Sequence, residues 1–295
     1  MECLKLNRWY YYDDLIYDAN RLAKLYPNIV KIQWIGISHE GRNIPCIRLG
    51  SGRQKIVIVS GVHGRESTNP IVLMKMLEYY CWNLSSNGHD SMTTQIKEFF
   101  NEFSVECVPL LNPDGYMIAL RGFNIIQNET YRLKAKAMNI PYQEWKYNAR
   151  CIDLNRNFPS SNWCVKWEDD EPASENETKA LMNLFGRSPG IGFIDYHSRG
   201  KMIYYHRKQM SKDYNKRQLF YAQRLSNMTG YTLANPTDEI EEGDTGGNTV
   251  HYYSEMFLLP ALTIETVDEI ARFPIKLKYQ WETFQELKHT PMIFQ

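Results

Sequence analysis

The sequence predicts an α/β fold, a single domain with a mixed, largely parallel twisted sheet between helical layers. Strand-like and helix-like apolar patterns alternate along the chain, the order that puts helices on both faces of a mostly parallel sheet. Four short apolar runs, near residues 55–60, 103–110, 191–196 and 258–266, have the length and composition of buried strands. No internal repeat, low-complexity tract or linker-like stretch divides the 295 residues, so 1–295 is expected to form one domain.

Each element follows from local signals. From Asp13 to Tyr26, Leu15, Ile16, Ala19, Leu22 and Ala23 fall at helical spacing, with Asp13 or Asp14 as N-cap and Pro27 just beyond. Val30 to Gly50 reads as two strands around His39-Glu40-Gly41-Arg42, followed by a buried strand at Lys55 to Ser60. Ile71 to Leu84 has a helical pattern. Phe103 to Leu110 returns as a strand and stops at Asn112-Pro113-Asp114-Gly115, a strong turn signal. Residues 116–165 show little periodicity and are expected to form a long, partly irregular excursion, a length that is unusual unless functional. Ser174-Glu175-Asn176-Glu177 has the form of a capping box ahead of Ala180, Leu181 and Leu184. A short strand at Ile191 to Tyr196, a helix at Lys212 to Met228, a last apolar strand at Leu258 to Thr266 and a helix within Lys276 to Leu287 complete the chain.

Composition excludes several functions. The chain is 43% hydrophobic and 13% aromatic, enough to bury a sizeable core. Its 34 basic and 34 acidic side chains cancel, so it lacks the electrostatic footprint of a nucleic-acid or anionic-membrane binder. No apolar run approaches the roughly 18 residues of a membrane-spanning helix, and Met1 to Trp9 lacks the apolar core of a secretory signal. Six cysteines (Cys3, Cys46, Cys81, Cys107, Cys151, Cys164) are scattered without metal-ligand or CxxC spacing and read as reduced, mostly buried thiols of a cytoplasmic protein, the alternative being three disulfides in an extracellular one.

Chemistry concentrates at strand ends. His63 and Glu66, in Ser60-Gly61-Val62-His63-Gly64-Arg65-Glu66, follow one apolar run; His197, in Gly192-Phe193-Ile194-Asp195-Tyr196-His197-Ser198, follows another. In open α/β sheets, sites form just beyond such ends. A lone His-x-x-Glu is weak evidence, and a lone strand-end histidine is more often simply hydrogen-bonded. Together, two imidazoles and a carboxylate can hold one zinc ion and leave its fourth position open for water, which suits metal-assisted hydrolysis. Gly61 and Gly64 would let the loop turn tightly and leave room beside the metal. Asp153-Leu154-Asn155-Arg156-Asn157-Phe158-Pro159 reads as a turn with a surface ion pair, or as a carboxylate clamp in which the Arg156 fork pairs with a substrate and Asn155 adds a donor. Asp153 could instead orient a metal-bound imidazole. Glu265, in Leu262-Thr263-Ile264-Glu265-Thr266, is either a strand-end carboxylate facing water or a general base.

His63-Gly64-Arg65-Glu66, Asn112-Pro113-Asp114-Gly115-Tyr116, Asp153-Leu154-Asn155-Arg156-Asn157-Phe158, Tyr196-His197-Ser198 and Thr263-Ile264-Glu265 occur in the order and context of the zinc carboxypeptidases. The chain resembles that family from about Tyr10 to its final helix. The resemblance implies one zinc ion on His63, Glu66 and His197, with Glu265 as general base and Asn155 and Arg156 holding the substrate's terminal carboxylate. Within the family, Trp145-Lys146-Tyr147-Asn148-Ala149-Arg150 and Asp195-Tyr196-His197-Ser198-Arg199-Gly200 look most like the bacterial γ-D-glutamyl-L-diamino acid peptidases, which cut peptidoglycan stem peptides. The alternatives are an ordinary carboxypeptidase on α-linked L-peptides and a non-catalytic peptide-binding relative. No inhibitory pro-domain, nucleic acid, membrane or partner protein is expected, only a peptide or muropeptide substrate.

Two departures matter. Lys146 stands where digestive members carry an oxyanion-stabilising arginine; it offers charge without a bidentate fork, and Arg150 competes for the role. No tyrosine precedes Gly246-Gly247, where Glu239-Ile240-Glu241-Glu242-Gly243-Asp244-Thr245 stands instead. This acidic stretch is either a solvated lid or a set of charges (Glu241, Glu242 or Asp244) that attracts the distal ammonium of a diamino acid, with Thr249 lining the pocket.

Overall fold

The computed structural model describes residues 4–88, 90–166, 170–239 and 246–295. Among them the strands are β1 (Val30–Ile37), β2 (Asn43–Leu49), β3 (Gln54–Ser60), β4 (Phe103–Val108), β5 (Gly192–Ser198), β6 (Met202–Tyr204), β7 (Thr232–Leu233) and β8 (Ala261–Thr266). The helices are α1 (Tyr12–Leu25), α2 (Thr68–Ser85), α3 (Ser91–Glu102), α4 (Pro113–Arg121), α5 (Glu129–Ala137), α6 (Asn176–Arg187), α7 (Lys212–Thr229), α8 (Thr249–Phe257) and α9 (Tyr279–Leu287). All described strands join one sheet in the order β1-β2-β4-β3-β5-β8-β6-β7. Its centre, β4-β3-β5-β8, is parallel, and antiparallel strands extend it on both sides. The expected mixed α/β architecture is the observed one. No helix among the described residues is long and apolar enough to cross a membrane.

The central strands are buried on both faces, so they read as continuous apolar runs, and their period of two assigns each residue to a layer. Ile56 and Ile58, Ile194 and Tyr196, and Leu262 and Ile264 point into a core shared with α1, α2, α3, α7 and α9. Val57 and Val59, Phe193 and Ala261 point the other way, against Leu181, Leu184 and Phe185 of α6 and Val250 and Tyr253 of α8. Phe185 anchors this second core, edge-on to Phe193 at 5.0 Å and to Tyr253 at 4.9 Å. Such aromatic pairs add about 0.5–1.5 kcal/mol each beyond their buried area.

Several local expectations change. Asn112 does not end a turn but caps α4, accepting the Gly115 N–H, with Pro113 in the first turn. Asp13 and Asp14 lie in the first turn of α1 rather than at its N-cap; the cap is Tyr11, whose N–H donates to Asp14. Ser174 does not form the capping box: Glu175 is the N-cap of α6, and the Ser174 hydroxyl donates to it. The excursion over 116–165 contains α4, α5 and three single 3₁₀ turns. It is anchored by a small core of Ile118, Ile126, Trp145 and Ala149. Helices α3 and α8 were not expected.

His289, just after α9, lies edge-on to Tyr79 at 5.7 Å. Burial and the neighbouring Lys288 push its imidazole down to about 4 from the usual 6.5. Between those values the unfolded chain binds the extra proton, so stability falls as pH drops through that window. Thermal melts across pH 4–7 should therefore show a shallower acid-side decline for His289→Gln than for the parent.

Candidate active site

The first half of the site is a loop held without slack. After β3 the chain turns through Gly61, whose φ of +65° is left-handed and strongly favours glycine. At Gly64 a Cβ would lie 2.3 Å from the Gly115 backbone, so only glycine allows this approach. The Gly64 N–H donates to the Lys146 carbonyl at 3.1 Å, and Asn112 Nδ2 donates to the Val62 carbonyl at 3.0 Å. Asp114, fully buried, accepts from Arg42 at 2.6 Å and from the Ser38 hydroxyl at 2.8 Å. Asn112-Pro113-Asp114-Gly115 is thus a clasp between the β1–β2 turn and the loop bearing His63 and Glu66.

That loop faces His197. The Nδ1 atoms of His63 and His197 are 3.2 Å apart. Glu66 Oε1 lies 2.7 Å from His63 Nδ1, and its Oε2 lies 3.3 Å from His197 Nδ1. The far side of each ring meets another acid: His63 Nε2 is 3.3 Å from Asp153 Oδ1, and His197 Nε2 is 3.1 Å from Asp195 Oδ2. His63 and Glu66 lie past the end of β3, whereas His197 is the penultimate residue of β5 rather than beyond it.

Strand register supplies the next carboxylate. In the parallel β5–β8 pair His197 is opposite Glu265 and Asp195 opposite Thr263. The two-residue period aims these side chains to the same face as Phe193 and Ala261. Glu265 therefore stands beside His197 inside the cleft and does not face open water. Burial pushes its carboxyl up; His197 opposes this, Glu66 reinforces it, and the group sits at about 7. Glu66 goes the other way: burial resists ionisation, but His197 and His63 overcome it and hold the carboxyl at about 2. Despite burial, Asp195 and Glu66 raise His197, and Glu66 and Asp153 raise His63. Burial likewise opposes ionisation of Asp153, yet His63 and Lys146 lower it well below the usual carboxylate range. Four carboxylates surrounding two imidazoles form a cage that favours positive charge.

The cage opens into a cleft of about 990 Å³ lined by His63, Glu66, Lys146, Asn155, Arg156 and Glu265, among others. Lys146 reaches it while paired with Asp153 Oδ2 at 2.6 Å. Arg150 is not among the lining residues; its guanidinium pairs with buried Glu175 at 3.2 Å, which leaves Lys146 as the nearer cation. Asn155 Oδ1 accepts the Thr249 N–H at 3.4 Å, and Arg156 Nη1 donates to the Asn155 carbonyl at 2.7 Å. Thr249 does not line the cleft: it is buried at the start of α8, and its hydroxyl donates to Asp195. The acidic residues Glu241, Glu242 and Asp244 lie outside the described residues. Glu239, at the edge of that stretch, does line the cleft and lies 2.8 Å from His251 Nε2.

Sequence reasoning missed other cleft residues. Arg65, Arg199, Arg207 and Arg272 all contribute to the walls. Arg65 and Arg199 approach the Phe273 ring at 4.6 and 5.6 Å. Arg65 and Arg199 carried a signal, their places close to Glu66 and His197 in the quoted motifs.

Comparison with known proteins gives this geometry a family. Residues 17–273 match the family described as zinc carboxypeptidase. Uncharacterized protein YqgT of Bacillus subtilis is 29% identical over 224 residues, 68% of this chain and 59% of the relative. Gamma-D-glutamyl-L-diamino acid endopeptidase 1 of Lysinibacillus sphaericus is 26% identical over 215 residues, 66% of this chain and 52% of the relative. The chain thus spans only about half to three-fifths of these relatives' lengths. Thrombin activatable fibrinolysis inhibitor superposes with a TM-score of 0.80 at 18% identity, covering 98% of this chain and 74% of that structure, which shows a shared fold. With a family match across most of its length, and the fold to go with it, the chain belongs to the zinc carboxypeptidases.

Proposed function

We propose that this chain is a zinc metallocarboxypeptidase, a peptide hydrolase that cuts the amide beside a residue with a free carboxylate, with residues 1–295 as its catalytic unit. The observation that carries this reading is the convergence of His63 Nδ1, His197 Nδ1 and the Glu66 carboxylate next to half-buried Glu265. These donors fit one zinc ion. Their separations of 2.7, 3.2 and 3.3 Å approach the roughly 3.3 Å edge of a tetrahedron with bonds of about 2.0 Å. Glu66 Oε2 is buried with no hydrogen bond among the described residues, as an oxygen awaiting a cation would be. When bound there, zinc supplies Lewis acidity and makes water nucleophilic near neutral pH.

The chain's own groups do the rest. Asn155 and Arg156 dock the terminal carboxylate and fix which amide meets Glu265. Glu265 takes the proton of the attacking water and returns it to the leaving amine. Lys146 offers positive charge to the developing oxyanion in a partly dehydrated cleft. Asp153 and Asp195 keep the Nε2 sides of the imidazoles occupied, so that both Nδ1 atoms face the metal.

The preferred substrate in this reading is the γ-D-glutamyl-diaminopimelate bond of peptidoglycan stem peptides. Similarity to a Lysinibacillus enzyme named for γ-D-glutamyl-L-diamino acids supports it. So do four arginines that line the cleft, Arg65, Arg156, Arg199 and Arg272, which suit a substrate with more than one carboxylate.

Glu265→Gln should lower kcat by at least about 10²–10⁴-fold while zinc remains bound; near-normal turnover would remove Glu265 as the base. Because the ionised form acts, kcat/KM should rise as pH climbs through the Glu265 ionisation and be lost below it. Burial holds that carboxyl at about 7, and a cation at the triad pulls the midpoint lower. Asp153→Asn should weaken zinc affinity by about 10–100-fold in competition with a chelator. Rates on γ-D-glutamyl-diaminopimelate, γ-D-glutamyl-alanine and α-linked L-dipeptides decide the substrate class. Faster cleavage of the α-linked set would make the protein an ordinary carboxypeptidase.

A further inference from the structure

We propose that His39, Glu175 and Glu177 form a second divalent-cation site, apart from the catalytic cleft, that ties the β1–β2 turn to the first turn of α6. None of the three lines the cleft. One ligand atom from each lies within 4.8 Å of the others. His39 Nε2 is 3.0 Å from Glu175 Oε2 and 3.9 Å from Glu177 Oε2. These values bracket the roughly 3.3 Å between ligands of a tetrahedral ion such as zinc.

The decisive feature is Glu177. Its side chain is wholly buried, yet neither oxygen has a hydrogen-bond partner among the described residues. A buried carboxylate without hydrogen bonds costs several kcal/mol unless a positive charge faces it. His39 Nε2 is also buried, and although Glu175 Oε2 lies 3.0 Å away it makes no well-aligned hydrogen bond. The rest of the His39 side chain keeps 15% exposure, which leaves the site an access path from solvent.

Glu175 is partly engaged and still has capacity. Its Oε1 accepts from Arg150 at 3.2 Å and from the Ser174 hydroxyl at 2.8 Å. Its Oε2 accepts from Asn148 at 2.7 Å, and a carboxylate oxygen has a second lone pair. Asp114 also acts on Glu177. Three carboxylates, Glu175, Glu177 and Asp114, thus face two guanidiniums, Arg150 and the Arg42 that pairs with Asp114. With His39 neutral and all three carboxyls ionised, the state a bound cation requires, the surplus is negative. Burial pushes the Glu177 carboxyl up to about 7, whereas despite burial His39 and Asn148 hold Glu175 at about 2, so a cation entering the site displaces a proton from Glu177. Imidazole with carboxylates suits zinc or a similar transition ion better than calcium, which takes only oxygens.

Equilibrium dialysis of the full chain against zinc, followed by elemental analysis, tests this independently of the catalytic triad. The parent should hold two ions per chain, and His39→Gln and Glu177→Gln one each. A His63→Gln/His197→Gln double variant should still bind one, and adding His39→Gln to it should abolish binding. His39→Gln should retain peptidase activity, and zinc should raise the melting temperature of the double variant but not of the triple. A single ion in the parent that is lost in the double variant, or a second that survives His39→Gln, overturns the proposal and leaves the cluster an internal ion pair. Loss of binding by the double variant alone overturns it equally, while one ion in the parent that persists in the double variant counts against the catalytic triad instead.

Discussion

The pairing of β5 with β8 is the constraint on which the site depends. Parallel register sets His197 beside Glu265 and Asp195 beside Thr263, and the alternation of a strand sends all four to the face covered by α6 and α8. A slip of one residue in β8 would send Glu265 into the opposite core beside Tyr196 and take it away from His197. That register is fixed by apolar packing on both faces rather than by the polar groups themselves. Function therefore rests on Ile194, Ile264, Phe193 and Ala261 as firmly as on the imidazoles.

Electrostatics then turns geometry into chemistry. Buried ionisable groups are costly in isolation, and here each acid has a nearby opposite charge or is held in its neutral form. Glu66 stays charged because two imidazoles face it, Asp153 because His63 and Lys146 do, and of these three Glu265 alone is lifted toward neutrality, by burial and by Glu66. Two neighbouring carboxyls with ionisations driven apart are suited to different tasks, one to grip a cation and one to shuttle protons.

Much of this was legible from residue order. β3, β5 and β8 are doubly buried and appear as unbroken apolar runs, so their ends, and hence His63, Glu66, His197 and Glu265, could be located. Other elements hid for identifiable reasons. α5 buries only Ala135, so no apolar stripe marks it. α3 and α8 are short, though the caps Asp90 and Asn248 were readable signals. Thr249 looked like a pocket residue because its partner, Asp195, is 54 positions away in sequence. Ser174-Glu175-Asn176-Glu177 misled because the glutamates turn inward toward His39 and do not serve the helix end. Long-range contacts of this kind leave no periodic trace.

The hydrogen bond from Thr249 to Asp195 has a consequence for engineering selectivity. Helix α8 carries Val250 and His251 of the cleft wall and, through Thr249, also grips the acid that orients His197. Recognition and reactivity thus hang on one rigid lever. Reshaping that wall by tilting α8 would retune the imidazole's basicity at the same time, so new substrate preferences are better sought through side chains that leave the lever's first residue in place.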